Sequence, residues 1–216
     1  MQNYNMKNLL KTLIFSSLFI LLPFISHAQT ELDEMTKEEL LFSLALGKQA
    51  PLIKKFQEKE ATRLLNNNYN PKKNGCNIET MRSGEVIIIT IPTDLLFLPN
   101  ERTLIDDCDN FLSPIQRYLK TPDFYRVLLV MHTDDTGSET YTDELSLDRV
   151  DAVFDWFETH NTNTTYLFPT ASGASEPLFG TKNNTVKNRA KNRRLEIYLI
   201  PGEEMLRQAK LGRIAL

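Results

Sequence analysis

The sequence predicts an α/β fold, a βαβαβ(α)β sandwich in which helices cover one mixed sheet, preceded by an N-terminal helical extension. Runs of β-branched residues mark the strands, and apolar residues at helical spacing lie between those runs. Turn-forming residues separate the two kinds of segment. Strands that alternate with helices in this way form a single sheet covered by helices.

The N-terminus has the pattern of a secretory signal peptide. Lys7 and Lys11 supply its positive charge, residues 13–25 form its apolar segment, and SHA at 26–28 is a suitable cleavage site. The apolar segment is shorter than the ~20 residues that a spanning helix needs. We therefore predict a signal peptide over residues 1–28 and export to the periplasm, with outer-membrane association left open.

The overall charge argues against a nucleic-acid partner. The chain has 25 Lys and Arg residues and 28 Asp and Glu residues, which give a formal net charge of −3. Removal of residues 1–28 takes away two lysines and no acids, which leaves a net charge of −5. A protein that binds nucleic acid needs a basic face to neutralise phosphates.

Residues 31–68 are predicted to be helical. Thr36 and Glu39 have the spacing of a capping box, and Pro51 suits the first turn of a second helix. An asparagine-rich turn segment then breaks the pattern. The sequence thus predicts a helical extension and linker over residues 29–83, which either packs on the domain or makes a second contact.

Four strands and three helices are predicted after the linker. The strands are at residues 86–91, 126–131, 166–171 and 195–199. Helices are predicted over residues 104–119 and 145–157, and Pro114 either kinks the first of them or restarts it. A short C-terminal helix is predicted within residues 202–216. These elements place the domain at residues 84–201.

The two cysteines, Cys76 and Cys108, allow two interpretations. In an oxidising compartment, an even number of cysteines permits a disulfide bond. Cys108 also lies on the apolar side of a predicted helix, where a buried free thiol is common. The sequence leaves both alternatives open.

The segment HTDDTGSETYTDELSLDR at residues 132–149 carries the candidate site. Asp134 and Asp135 leave the second predicted strand, and Gly137 allows a turn. Arg149 lies about two turns into the next helix, which can return this side chain to the strand-end loop. A carboxylate and a guanidinium on opposite walls of one pocket suit a zwitterionic ligand, because guanidinium binds carboxylate through two parallel hydrogen bonds.

This segment resembles the signature of the OmpA-like C-terminal peptidoglycan-binding domain of the OmpA, MotB and Pal type, without the membrane barrel. Further motifs match in the correct order, which makes the resemblance specific. They are FLPN at 97–100, SGASEP at 172–177, NRA at 188–190 and NRRLE at 192–196. The resemblance covers residues 84–201 and implies the same α/β fold.

The resemblance also implies a function and a set of ligand-binding residues. The family binds the diaminopimelate residue of the peptide stem in peptidoglycan, without a metal, a cofactor or catalysis. Asp134 is then expected to bind the ammonium group of this amino acid, and Arg149 its carboxylate. Three further residues match pocket positions of the family: Thr133, Asn100 and Arg193.

Two pocket positions depart from the family pattern. Thr142 replaces an asparagine, and Leu98 replaces the acid that usually follows the phenylalanine after the first strand. The lost hydrogen bonds are expected to weaken binding or to alter the ligand preference. Thr142 remains among the residues predicted to bind the ligand.

The predicted function is non-catalytic tethering of the cell envelope to peptidoglycan, with an envelope protein as a further candidate partner through residues 31–68. One alternative is a hydrolase of peptidoglycan in which Asp134 and Asp135 act as acid and base. Their adjacency in one turn disfavours the flanking geometry that this reaction needs. The other alternative is a periplasmic protein-interaction module that has lost wall binding.

Simpler interpretations exist for the same charged residues. Considered without the other motifs, Asp134 and Arg149 could form a surface ion pair that contributes ~0–1 kcal/mol to stability. His132 and the two acids could ligate a metal, but no other group has metal-ligand spacing, so no metal site is predicted. Arg189, Arg193 and Arg194 could form a basic patch for nucleic acid, but Glu196 and the net negative charge count against it. Arg194 is instead expected to form a salt bridge on the solvent face.

Overall fold

A five-stranded mixed β-sheet forms the centre of the computed structural model. Along the chain, the strands are β1 (Asn77–Met81), β2 (Val86–Pro92), β3 (Tyr125–His132), β4 (Leu167–Gly173) and β5 (Arg194–Pro201). They lie in the order β1-β2-β5-β3-β4 across the sheet. β3 and β4 are parallel, and the other neighbouring pairs are antiparallel. The predicted α/β sandwich with a mixed sheet is therefore confirmed.

The structure describes three stretches of the chain, residues 31–32, 34–178 and 180–214. The signal peptide predicted over residues 1–28 lies outside them. The described residues from Met35 onward form one compact unit, the second along the chain. Within the described stretches, no helix is long and apolar enough to span a bilayer.

Helices accompany the sheet along the whole second unit. They are α1 (Lys37–Phe42), α2 (Ala50–Asn67), α3 (Asp109–Leu112), α4 (Glu139–Thr159), α5 (Val186–Asn192) and α6 (Glu203–Lys210). The predicted capping box is present at α1, because the Thr36 side chain accepts from the backbone of Glu39 and the Glu39 side chain accepts from the backbone of Thr36. The predicted C-terminal helix is present as α6.

The helix predicted over residues 104–119 is instead a series of short pieces. The 3-10 helices Asp106–Cys108 and Ser113–Leu119 flank α3, which has only four residues. Proline has no backbone N–H, and its ring clashes with the preceding helical turn. The chain therefore restarts at Pro114 as a 3-10 helix instead of continuing as one α-helix.

Both faces of the interior strand β5 are covered. Leu195, Ile197 and Leu199 belong to the main hydrophobic core. Arg194 and Glu196 lie on the other face and are buried too, with Arg194 Nε donating to Glu196 Oε1 at 2.7 Å. The prediction that Arg194 forms its salt bridge on the solvent face is wrong, because an interior strand of this sheet is shielded on both sides.

The sheet begins before residue 84, the predicted start of the domain. β1 pairs in antiparallel register with β2, from Asn77 opposite Thr90 to Met81 opposite Val86. The sequence of β1, NIETM, is a weak strand signal because it mixes polar residues with apolar ones. β1 lies at the edge of the sheet, where polar residues are tolerated. Its pairing with β2 therefore decides its conformation.

Helix α2, which the sequence assigns to the extension, packs against β1, β2 and α6. The buried side chain of Gln57 fixes α2 to the sheet. Its Nε2 donates to Glu85 O at 2.8 Å and to Leu199 O at 3.3 Å. Its Oε1 accepts from the Tyr125 hydroxyl at 2.7 Å. The structure thus shows that this segment packs on the domain, so a second contact would involve the exposed side of the segment.

Replacing Gln57 with leucine is expected to lower the free energy of unfolding by ~1–2 kcal/mol, because it removes three hydrogen bonds, those to the Tyr125 hydroxyl and to two backbone carbonyls, in a mostly buried place. The apolar side chain offsets part of this cost. Urea unfolding measures the change, and Lys59→Leu on the exposed side of the same helix is the control. Equal losses in the two variants would contradict this role of Gln57.

Cys76 and Cys108 are separate, buried thiols rather than a disulfide. Burial raises the pKa of Cys76 to about 12 and the pKa of Cys108 to about 11. Thiols with such raised pKa values stay protonated near neutral pH and are poor nucleophiles. Of the two alternatives for the cysteines, the structure has the buried free thiols.

Candidate functional site

A cavity of about 570 Å³ lies at one end of the sheet, between the loops that follow β2 and β3 and the helices α4 and α5. All six residues that the sequence predicts to bind a ligand line this cavity. They are Asn100, Thr133, Asp134, Thr142, Arg149 and Arg193. Its size is typical of pockets that bind a small ligand. The tertiary structure therefore brings together side chains from four separate parts of the chain.

Asp134 is a buried carboxylate at the end of β3, only 7% exposed. Its Oδ1 accepts a hydrogen bond from the backbone N–H of Thr136 at 2.9 Å, and its Oδ2 accepts one from Arg193 Nη1 at 2.8 Å. Burial alone would raise the pKa of Asp134, but the hydrogen bonds from Thr136 and Arg193 outweigh it and lower the pKa. Asp134 is therefore ionised near neutral pH.

Arg149 is a buried guanidinium on α4, only 3% exposed. Its Nε donates to Glu101 O at 2.8 Å and its Nη2 to Leu98 O at 3.3 Å, while its central carbon lies 4.9 Å from the centre of the Phe97 ring. Burial lowers its pKa, yet an arginine remains charged at physiological pH. Among the described residues it forms no ion pair with an acid, so its charge is available to an anionic ligand.

The hydroxyl group of Thr133 is another unused polar group in the cavity. Thr133 Oγ1 is buried and has no hydrogen-bond partner in the described part of the chain. A buried polar atom without a partner is uncommon in folded proteins and marks a place where water or a ligand binds. The backbone N–H of Thr133 donates to Gly173 O at 2.8 Å, which fixes the end of β3 against the end of β4.

Asn100 and Thr142 line the cavity in different ways. Asn100 has a φ of +60°, in the left-handed region that asparagine tolerates, and its Oδ1 lies 3.5 Å from the Tyr141 hydroxyl. Thr142 Oγ1 donates to Glu139 O in its own helix at 2.8 Å. The Thr142 hydroxyl can then only accept from a ligand, whereas an asparagine amide at this position could also donate.

His132 and Asp135 lie apart from the cavity. Asp135 is exposed although Asp134 beside it is buried, so the two acids do not face one another as a catalytic pair. His132 is buried, and its Nε2 lies 3.4 Å from Glu196 Oε2. Burial lowers the pKa of His132. No cluster of three or more His, Cys, Asp and Glu side chains in the described stretches has the geometry of a metal site.

Two charged residues of the cavity were not among the predicted site residues. Asp94 Oδ2 lies 3.6 Å from Arg193 Nη2, so Arg193 contacts both Asp94 and Asp134. Asp94 follows β2 as Asp134 follows β3, and the rule that binding groups collect after strands could have identified it. Arg189 also lines the cavity, although the sequence indicated it as part of a motif and of a basic patch and not as a site residue.

The fold and the cavity together define an α/β sandwich domain with a charged binding pocket at the ends of its strands. Residues 96–193 match the model of the OmpA family. This match confirms the resemblance that the sequence motifs indicate.

A curated protein and several solved structures are also similar to this chain. The chain is 29% identical over 130 residues to the Escherichia coli protein named "Probable lipoprotein YiaD", a match that covers 60% of this chain and 58% of that protein. The chain thus matches less than two thirds of this relative.

Several solved structures have the same fold as this chain. A MotB-like protein from Desulfovibrio vulgaris is 23% identical, with a TM-score of 0.60 over 71% of this chain and 95% of that one. The cell wall anchor of the type VI secretion system from Pseudomonas aeruginosa is 23% identical, with a TM-score of 0.55 over 65% and 96%. The periplasmic domain of Helicobacter pylori MotB is 22% identical, with a TM-score of 0.53 over 66% and 90%.

Proposed function

We propose that the protein binds cell-wall peptidoglycan without catalysis, through the diaminopimelate residue of the peptide stem, and so tethers the cell envelope to the wall. The observation that carries this proposal is the pair of charges in one cavity, the ionised Asp134 and the Arg149 that lacks an acidic partner. The OmpA family match and the fold shared with a cell wall anchor support it.

The two charges suit the free end of diaminopimelate, which carries one ammonium and one carboxylate group. The ammonium group binds Asp134, whose oxygens can each accept a further hydrogen bond beside those from Thr136 and Arg193. The carboxylate binds the N–H groups of Arg149 that the backbone oxygens leave free. The Thr133 hydroxyl supplies one more hydrogen bond in the cavity.

The same contacts predict weak binding to a single stem. Two charge-assisted anchors contribute ~1.5–3 kcal/mol each before entropy costs, which corresponds to a dissociation constant in the micromolar to millimolar range. Peptidoglycan presents the stem many times on one polymer, so a second tether to the envelope would multiply retention through the effective concentration.

The location and the protein partner belong to the same proposal. Peptidoglycan binding requires an exported protein, in agreement with the signal peptide predicted for the N-terminus, and a periplasmic location with or without outer-membrane association. An envelope protein is proposed to bind the helical segment 31–68. The apolar residues Leu40, Ile53 and Leu64 of this segment are buried, whereas Phe42 is 65% exposed and available to a partner.

Competition for purified sacculi tests the proposal. We expect the protein to co-sediment with sacculi and free diaminopimelate to displace it, because the free amino acid carries both charges that the cavity pairs. Pimelate, which lacks the ammonium groups, and cadaverine, which lacks the carboxylates, are matched controls and should displace much less. Equal displacement by all three would refute a zwitterion site, and release of soluble fragments from labelled sacculi would indicate a hydrolase.

A further inference from the structure

The cavity contains more positive than negative charge. Its charged lining residues in the described part of the chain are Asp94, Asp134, Arg149, Arg189 and Arg193. No lysine, histidine or glutamate contributes to the lining. A cavity with three guanidinium groups and two carboxylates attracts a ligand with net negative charge.

Arg193 contacts both carboxylates of the cavity. Arg193 Nη1 donates to Asp134 Oδ2 at 2.8 Å, and Arg193 Nη2 lies 3.6 Å from Asp94 Oδ2. These contacts raise the pKa of Arg193 despite its partial burial. The positive charges of Arg149 and Arg189 are therefore not neutralised by an acid among the described residues.

Arg189 is half-buried on α5, and its guanidinium has N–H donors that can bind a ligand. Its Nη1 donates to Asn183 O at 3.1 Å, a neutral backbone oxygen. A guanidinium group has five N–H donors in a planar fork, so this single hydrogen bond leaves enough donors for a carboxylate. Arg189 also precedes Arg193 by one helical turn, with Arg193 N donating to Arg189 O at 3.0 Å. The like charges of these two arginines are held on the same wall of the cavity.

Leu98 explains why the excess of positive charge exists. It lines the cavity and is 60% exposed, at a position where the resemblance predicts an acid. An acid at this position would make the three arginines and the acids of the cavity equal in number. Leucine carries no charge. Arg193 contacts both acids, and Arg149 binds the ligand's first carboxylate, so the guanidinium of Arg189 is left without a counter-ion.

We propose that Arg189 binds a second carboxylate of the stem peptide, so that the site selects stems that carry two free carboxylates. This inference rests on the proposed function, in which Asp134 and Arg149 hold the zwitterionic end of diaminopimelate. The stem as far as diaminopimelate offers two sources of the second carboxylate. One is the α-carboxylate of the glutamate that precedes diaminopimelate, and the other is the second carboxylate of diaminopimelate itself, which is free where that residue is terminal.

Binding of three synthetic stems to the full chain, measured by calorimetry, tests the proposal. The first is a tetrapeptide stem with a free glutamate α-carboxylate and an amidated C-terminus, and the second is the same stem with the glutamate α-carboxylate also amidated. The third is a tripeptide stem with an amidated glutamate α-carboxylate and a terminal diaminopimelate whose second carboxylate is free. The variants are Arg189→Gln and, as a matched control, Lys187→Gln. Lys187 lies on the same helix, is exposed and does not line the cavity, so both variants lose one positive charge.

The wild-type protein is expected to bind its preferred two-carboxylate stem about tenfold more tightly than the matching stem without that group, as for one charge-assisted contact. Arg189→Gln should abolish this preference, and Lys187→Gln should retain it. Discrimination between the free and amidated stems assigns the carboxylate to glutamate, and discrimination between tripeptide and tetrapeptide assigns it to diaminopimelate.

Two results would overturn the proposal. One is a preference that Arg189→Gln leaves intact or that Lys187→Gln removes equally, because the contact would then not be made by Arg189. The other is wild-type binding to all stems without preference, which overturns only this inference and leaves the proposed function standing. Absence of wild-type binding to every stem would instead overturn the proposed function together with it.

Discussion

Replacing Arg149 with glutamine is expected to weaken binding to peptidoglycan by about 30-fold or more, because removal of one member of a buried charge pair costs ~2–5 kcal/mol. Glutamine has a similar length and can still donate to a backbone oxygen, but it has no charge for a ligand carboxylate. Arg149→Lys should recover part of the loss, since lysine restores the charge and not the planar fork. Co-sedimentation with sacculi over a range of wall concentrations measures both effects.

A matched control separates the site from general effects of charge. Arg102 is an exposed arginine that pairs with Asp148 at 2.5 Å and does not line the cavity. Arg102→Gln should bind sacculi as the wild type does. Circular dichroism and urea unfolding of each variant show whether the fold is retained. A folded Arg149→Gln variant with undiminished binding would remove Arg149 from the site.

Replacing Asp134 with asparagine is expected to have an effect of similar size, a loss of about 30-fold or more in affinity for peptidoglycan. Asparagine keeps the shape of the side chain, but it removes the negative charge that the ammonium group needs. It also leaves Arg193 with Asp94 as its one remaining acidic contact. The neighbouring Asp135→Asn is the matched control, because Asp135 is exposed and lies outside the cavity. Equal affinities of these two variants for sacculi would contradict the assignment.

The pH dependence of binding follows from the same carboxylate. The folded-state pKa of Asp134 is lowered, so the group takes up its proton at a lower pH than an ordinary aspartate does. Binding should therefore persist to a lower pH than an ordinary aspartate would allow and disappear as the pH passes below the lowered pKa. A wild-type profile that fades at a higher pH, near the pKa of a histidine, would indicate that another group controls binding.

Much of the fold was predictable because its signals are local. The run VIIITI and the capping box at Thr36 identify a strand and a helix start from their own residues, and both are present. The continuous helix over residues 104–119 was not found, because Pro114 has a stronger effect on the backbone than the apolar spacing around it. β1 was missed because an edge strand obtains its conformation from its neighbour.

The sequence by itself determined the resemblance to the OmpA family, the order of most elements and six residues that prove to line one cavity. These features depend on residue type and spacing, which are written directly in the chain. Only the tertiary structure decided that Arg193 pairs with Asp134, that Asp94 and Arg189 join the cavity, and that Arg194 is buried. Such pairings depend on distances and burial between segments far apart in sequence, and no local pattern encodes which charges meet or which lack an acidic partner.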